Sequence, residues 1–331
     1  MTLSVDNPTL LDFTRELGPD GKITSDIAEI LTQFNPILQD MPVTEGNMTT
    51  GHKFFMRTGT ALPTWMKVNG FINPTKSTTI PVQQSCGRLS QMCSIDPEMA
   101  DLGGNRAAFV RNQEIGAMQG MSDEMAQTLF SGNESTEPEA FTGFGPYYNL
   151  STGNENSVNV IKSDDAATTN SDIWLCKWGQ WLHGFFPKGT RGGLEYQNRG
   201  EQLVGGTVAG SLAYRLISTF DWRLGLAIED WRYAARAHFG YTLADTYLSA
   251  GTGKSIIEMM IQLEERMPTG PGRPVYYASR KGMEYIRLQM LKKVGNNLTF
   301  ETVAGKPVTM FNGIPVIRTD AILDNQSALT A

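Results

Sequence analysis

The chain has 331 residues, 40% of them hydrophobic and 19% charged, with a formal net charge of −6. That length admits one large domain or roughly two to three ordinary ones, and that balance describes a folded chain rather than a disordered one. The acidic balance argues against a dedicated nucleic-acid binder, which is usually basic, and low charge beside six tryptophans and fifteen phenylalanines points to surface covered by partners.

Cys86, Cys93 and Cys176 form neither a disulfide framework nor a CxxC pair, so a reducing compartment is expected. The stretch Met1 to Asp12 lacks the basic start and apolar centre of a signal peptide. No run approaches roughly eighteen apolar residues, so no membrane span is expected and synthesis in the cytosol is.

Residues 1–24, broken by Pro8, Gly18, Pro19 and Gly21, read as an irregular arm. A short helix is predicted from Asp26 to Phe34, with Ser25 as N-cap and Ile27, Ile30, Leu31 and Phe34 on one face. Residues 50–94 read as a two-limbed extended excursion. One limb runs from His52 to Arg57 and on to Val68, a turn region spans Gly70–Lys76, and the return limb spans Thr78 to Cys93. Ile80, Val82, Gln84 and Cys86 share one face by period two. Such an excursion forms no core of its own and must lie on something else.

Residues 97–131 predict a long helix. Pro97 opens it, Val110, Ala117, Met118, Met121, Met125 and Leu129 stripe it, Gly103-Gly104 bends or delays its start, and Gly132 caps it. The methionine stripe is read as an adaptable packing seam rather than a binding face. Residues 132–171 read as polar loop with short strands, and 172–245 as strand-dense. A helix is expected from Thr252 to Arg266, a strand at Val275–Ala278, a helix at Arg280–Lys293 and two closing strands across Pro307–Thr319 around Asn312-Gly313. Pro315 gives no N–H to a ladder, so its strand is expected at a sheet edge or a bulge, and a covered edge suggests another copy of the chain. The class is α+β.

Catalytic signatures are weak. Gly253-Lys254-Ser255 ends like a phosphate-binding loop, but the glycine required five residues before Gly253 is Leu248. The plainer reading is a loop entering a helix, capped by Thr252 or Ser255. His52, His183 and His238 stand apart from one another and from the cysteines, so no metal ligands or catalytic residues are assigned, and no cofactor is expected. The acidic residues Asp164, Asp165, Glu134, Glu137 and Glu139 lack the alternation of a calcium loop. Lys188 and Arg191 are read as part of a glycine-rich turn rather than a phosphate site, and Arg106, Arg111, Lys292 and Lys293 as solvated bases.

Three blocks together resemble the tailed-bacteriophage, podophage-type major capsid proteins with the Hong Kong 97-like fold. The first is the order of arm (1–49), excursion (50–94) and long helix (97–131), which resembles the family's N-terminal arm, E-loop and spine helix. The second runs from Ile173-Trp174-Leu175 through Pro187-Lys188-Gly189 and Gly193-Leu194-Glu195 to Asp221-Trp222-Arg223 and Glu229-Asp230-Trp231-Arg232-Tyr233. The third is Gly282-Met283-Glu284-Tyr285-Ile286-Arg287 leading to Phe311-Asn312-Gly313-Ile314-Pro315-Val316.

The resemblance implies an arm at 1–49, an E-loop at 50–94, a spine helix with peripheral-domain strands at 95–240, and an axial domain with closing strands at 241–331. In the prototype the Gly-x-Pro-Val strand precedes the strands that finish the peripheral domain. Here Ile173 to Ala237 comes first, which implies permuted connectivity. The implied function is structural: an icosahedral shell of hexamers and pentamers around double-stranded DNA, located in the virion and assembled in the host cytoplasm. Contacts between subunits are expected at Phe54, Phe55, Trp65, Met66, Ile80, Val82 and Pro315. A separate scaffolding protein, a portal, cement proteins and weak non-specific contact with DNA are the other expected partners, and no membrane is. An encapsulin-like compartment shares the fold, and a nucleotide-using enzyme built on Lys254 is the rival of another class.

Overall fold

Alternating side chains in a few short strands decide where the core lies. The computed structural model describes residues 35–102, 104–149, 155–163, 169–205, 212–250, 255–292, 298–303 and 306–329. The helix predicted at 26–34, the Gly251–Lys254 loop and Asp164-Asp165 fall outside these residues. The elements in order are α1 (Ile37–Asp40), β1 (Val43–Glu45), β2 (Gly51–Gly59), β3 (Thr78–Ser85), β4 (Gly87–Ile95), α2 (Pro97–Leu102), α3 (Arg106–Ser131), α4 (Phe144–Tyr147) and β5 (Val160–Ser163). They continue as β6 (Asn170–Trp178), β7 (Leu182–Phe186), β8 (Leu194–Gly205), β9 (Leu212–Ile228), β10 (Ala234–Gly240), α5 (Tyr241–Ala250) and α6 (Ile256–Arg266). The last are β11 (Arg273–Ala278), α7 (Arg280–Lys292), β12 (Leu298–Val303), β13 (Lys306–Phe311) and β14 (Ile314–Arg318).

A seven-stranded sheet runs in the order β12-β13-β14-β11-β6-β10-β5. Both faces of its centre are covered. Ile173 and Leu175 of β6 and Tyr276 of β11 meet Ile257, Met260 and Leu263 of α6 and Ile286 of α7. Trp174 and Cys176, with Val275 and Tyr277, meet Leu129 and Phe130 at the end of α3 and Phe144 of α4. Period-two alternation sends neighbouring side chains to opposite faces, so a strand covered on both reads as a continuous apolar run. The sheet draws strands from both the 95–240 and the 241–331 segments.

A second sheet has β9 at its centre. β4 and β8 flank the first part of β9, and β7 pairs with its last residues, Gly225 to Ile228, before continuing to β1. Helix α3 runs across this sheet through successive apolar patches. Phe109 and Val110 pack with Ile95, Met99 and Leu216, and one turn-pair later Ala117 and Met121 pack with Phe220 and Trp222. Met125, Ala126, Leu129 and Phe130 then enter the main core. Met118, expected in the stripe, is exposed.

The long helix predicted over 97–131 is two helices. The chain breaks after Leu102, Gly104 adopts the left-handed φ of 69°, and the Asn105 side chain accepts a hydrogen bond from the Ala108 amide at 3.2 Å to restart it. Elements that went unpredicted include α1, β1, α4, α5 and β12.

Pro315 corrects the expectation of an edge strand. β14 lies inside the sheet, between β13 and β11. Asn312 (φ 48°) and Gly313 (φ 80°) form a two-residue turn of the type that favours left-handed residues, closed by the pair Phe311–Ile314. The next pair, Met310–Pro315, is then a non-hydrogen-bonded one, and pairing with β11 starts only at Val316. The proline therefore sits where the ladder asks for no donor.

Candidate assembly interface

β2 and β3 form a hairpin of their own, paired from Gly51–Ser85 to Gly59–Thr78, and residues 60–77 extend beyond it without regular structure. The root of the hairpin is built into the body. The Gln84 side chain accepts a hydrogen bond from the Ile228 amide at 3.1 Å and donates to the Tyr147 hydroxyl at 3.3 Å. Phe54, 8% exposed, is part of the core at this root. The face carrying Phe54 and Val82 continues outward to Met56 and Ile80, and by Ile80 it is 51% exposed. Beyond it Trp65 and Phe71 are fully exposed, with Leu62, Met66, Val68 and Ile72 also facing solvent. An apolar face buried at its root and bare along its length is a surface shaped for a partner.

The expected contact residues divide accordingly. Phe55, Trp65, Met66 and Ile80 are exposed on the hairpin and its loop, and Val82 is half-buried at its middle. Phe54 is core of its own subunit rather than free surface, because its strand alternates it inward beside Gln84. Pro315 is half-buried in the other sheet, away from the hairpin.

The histidines correct a second expectation. His52 and His183, read as isolated, meet edge-to-face at the hairpin root with ring centroids 5.8 Å apart, and His52 Nε2 lies 3.3 Å from Glu229 Oε1. Burial pushes the His183 imidazole below its ordinary range, against an opposing pull from Glu229. His238 lies elsewhere, fully buried, with Nδ1 2.7 Å from Asp172 Oδ1. Asp172 also takes two 2.8 Å hydrogen bonds from Arg236, whose guanidinium stacks over Trp174. This ion pair escaped the sequence reading. Its signal was a lone charge inside each of two apolar strands, in Ser171-Asp172-Ile173-Trp174 and Ala234-Ala235-Arg236-Ala237.

The anion-binding readings find other occupants. Ser255 is buried, with Oγ 3.3 Å from Gln289 Oε1, and the Ile256 amide that opens α6 donates to the same oxygen at 2.8 Å. The Gly189 amide in the Lys188–Arg191 turn donates to Glu45 Oε1 at 2.9 Å, so a carboxylate of the chain itself takes that position. Among the described residues no helix is long and apolar enough to cross a membrane.

A chain of bacteriophage Epsilon15 is 29% identical, with a TM-score of 0.80, over 100% of this chain and 99% of that one. Two more distant structures are the capsid of bacteriophage JBD30 and the capsid of a native GTA particle. The first is 12% identical over 90% of this chain and 94% of that one, with a TM-score of 0.49. The second is 9% identical over 66% and 94%, with a TM-score of 0.47. No curated protein matches in a sequence comparison. The family model described as major capsid protein GP7 matches residues 18–330. With a family model covering residues 18–330 and a full-length structural likeness to a capsid chain of the Hong Kong 97-like fold, this chain belongs to the GP7 family of phage major capsid proteins.

Proposed function

We propose that the β2–β3 hairpin and residues 60–77 lie across an adjacent subunit, and that this contact closes hexamers and pentamers into the icosahedral shell. The observation that carries the reading is the bare apolar run on the hairpin, from Phe55 and Ile80 to Trp65 and Phe71. Burying aromatic side chains at roughly 25 cal/mol per Å² supplies a large driving force, and interfaces of obligate oligomers often exceed roughly 2,000 Å². Among the described residues nothing covers this surface.

The shell protein takes no catalytic role in this reading. The buried Ser255 and the Gln289 side chain at the start of α6 disfavour a nucleotide site there. Packaged DNA touches the chain only weakly and without sequence preference, since its net charge is −6. Assembly in the host cytoplasm uses a separate scaffolding protein and a portal, and cement proteins bind the finished surface.

The test replaces residues 60–77 by a two-residue Asn-Gly turn. The expected product is a soluble subunit with an unchanged far-UV circular dichroism spectrum that forms no closed particles in negative-stain electron microscopy. Closed shells of normal size from this variant would refute the assignment.

A further inference from the structure

We propose that His52, His183 and Glu229 form a transition-metal site, best suited to Zn²⁺, that pins the root of the projecting hairpin to the body of the subunit. The three residues come from separate parts of the chain: β2, β7 and the turn after β9. The chain has only three histidines, and two of them converge on one carboxylate. Their ligand atoms all lie within 4.8 Å of one another. The His52 and Glu229 side chains are 14% and 20% exposed, and His183 is buried, so the cluster is largely dry.

The geometry favours a metal over a simple ion pair. His52 Nε2 and Glu229 Oε1 are 3.3 Å apart. That is longer than the roughly 2.7–2.9 Å of a charge-assisted hydrogen bond. It matches the edge of a tetrahedron with metal–ligand bonds of about 2.0–2.1 Å, which is about 3.3–3.4 Å. His183 is already oriented, because its Nδ1 lies 3.0 Å from the Gln180 carbonyl oxygen. Donation of Nδ1–H to that oxygen leaves the Nε2 lone pair for a metal, the arrangement that usually orients ligating histidines. Among the described residues Nδ1 of His52 has no hydrogen-bond partner, so no second hydrogen bond resists rotation of its ring toward the site. Glu229 is held by its backbone, whose amide donates to the Trp181 carbonyl at 2.9 Å. Phe54 and Phe185 flank His52 and complete an apolar wall.

The donor set selects the ion. Two imidazoles and one carboxylate suit zinc and its neighbours, whereas calcium and magnesium require oxygen ligands. Three protein ligands leave a fourth position for water or a group from another molecule. A metal here joins the first strand of the hairpin to the two strands that anchor it, so it fixes the direction in which the hairpin leaves the body.

The test uses the full-length subunit, stripped with a chelator and then titrated with Zn²⁺ by isothermal calorimetry and with Co²⁺ by visible absorption. The zinc measurement needs no assembly, so its failure is distinguishable from failure of the interface reading. The expected result is one equivalent per chain, cobalt bands typical of four-coordination, and no displacement by excess Mg²⁺ or Ca²⁺. Glu229→Gln keeps the size and hydrogen bonding of the side chain and should weaken zinc binding at least about tenfold. His183→Gln, checked for folding by circular dichroism, should do the same. Absence of stoichiometric zinc binding by the wild-type chain overturns the proposal. So does binding that survives both variants and is lost when Cys86 and Cys93 are changed to serine.

Discussion

Arg236 and Asp172 show how much one pair of residues settles. The guanidinium forms two 2.8 Å hydrogen bonds to the carboxylate and a third, of 3.0 Å, to the Tyr148 carbonyl, and it reaches Gln326 Oε1 at 2.8 Å. It thereby ties β6 and β10 to α4 and to the closing segment of the chain. Arg236→Ala would leave the buried Asp172 carboxylate with His238 but without its guanidinium partner, and a loss of about 3–5 kcal/mol is expected in denaturant unfolding of the isolated subunit. Burial alone would raise the Asp172 carboxyl, but Arg236 and His238 outweigh it and hold it below the ordinary carboxylate range. Its unfolded value is about 3.9, so the pair's contribution is complete above that pH and is lost as pH falls below it toward the folded value. Acid unfolding of Asp172→Asn should therefore be less steep below about pH 4 than that of the wild type. The pairing was illegible beforehand, because residues 64 positions apart carry no local pattern linking them.

At the scale of elements, α3 separates what periodicity reveals from what it hides. The four-residue spacing of Ala117, Met121, Met125 and Leu129 reported a buried face correctly, and all four are buried. Met118, three residues before Met121, was admitted to the same face but is 37% exposed, while Ala117 and Met121 pack against Phe220, Leu89 and Trp222. Met121→Ala should cost about 2–5 kcal/mol in the isolated subunit, and Met118→Ala within about 0.5 kcal/mol, both measured by denaturant unfolding. Pro315 is the complementary case. The missing N–H was read correctly as a restriction, but the restriction is met by the pairing phase that the Asn312-Gly313 turn imposes rather than by an edge. The break between α2 and α3 was legible as Gly103-Gly104, although only the left-handed Gly104 and the Asn105 cap make it a full stop.

Over the whole molecule, the same residue types meet opposite fates. Trp174 is sealed between the seven-stranded sheet and α3, while Trp65 stands fully in solvent. Trp65→Ala combined with Phe71→Ala should leave subunit stability within about 0.5 kcal/mol and sharply reduce the yield of closed shells in electron microscopy. Among the described residues the β2–β3 excursion, the helical stretch after Pro97, the strand-dense centre and the closing hairpin were readable, because each rests on local periodicity, proline and glycine. The sequence by itself determined that a two-limbed extended segment follows residue 50, but the structure corrects its far bound: β4 (Gly87–Ile95) is built into the body beside β9, and only β2, β3 and residues 60–77 stand apart. Only the tertiary structure decided which residues are left bare. Strand pairing buried Phe54 and bared Phe55, gathered His52, His183 and Glu229 at one root, and enclosed β14 within a sheet. Burial and convergence depend on contacts between residues far apart in the chain, and local pattern carries no record of those.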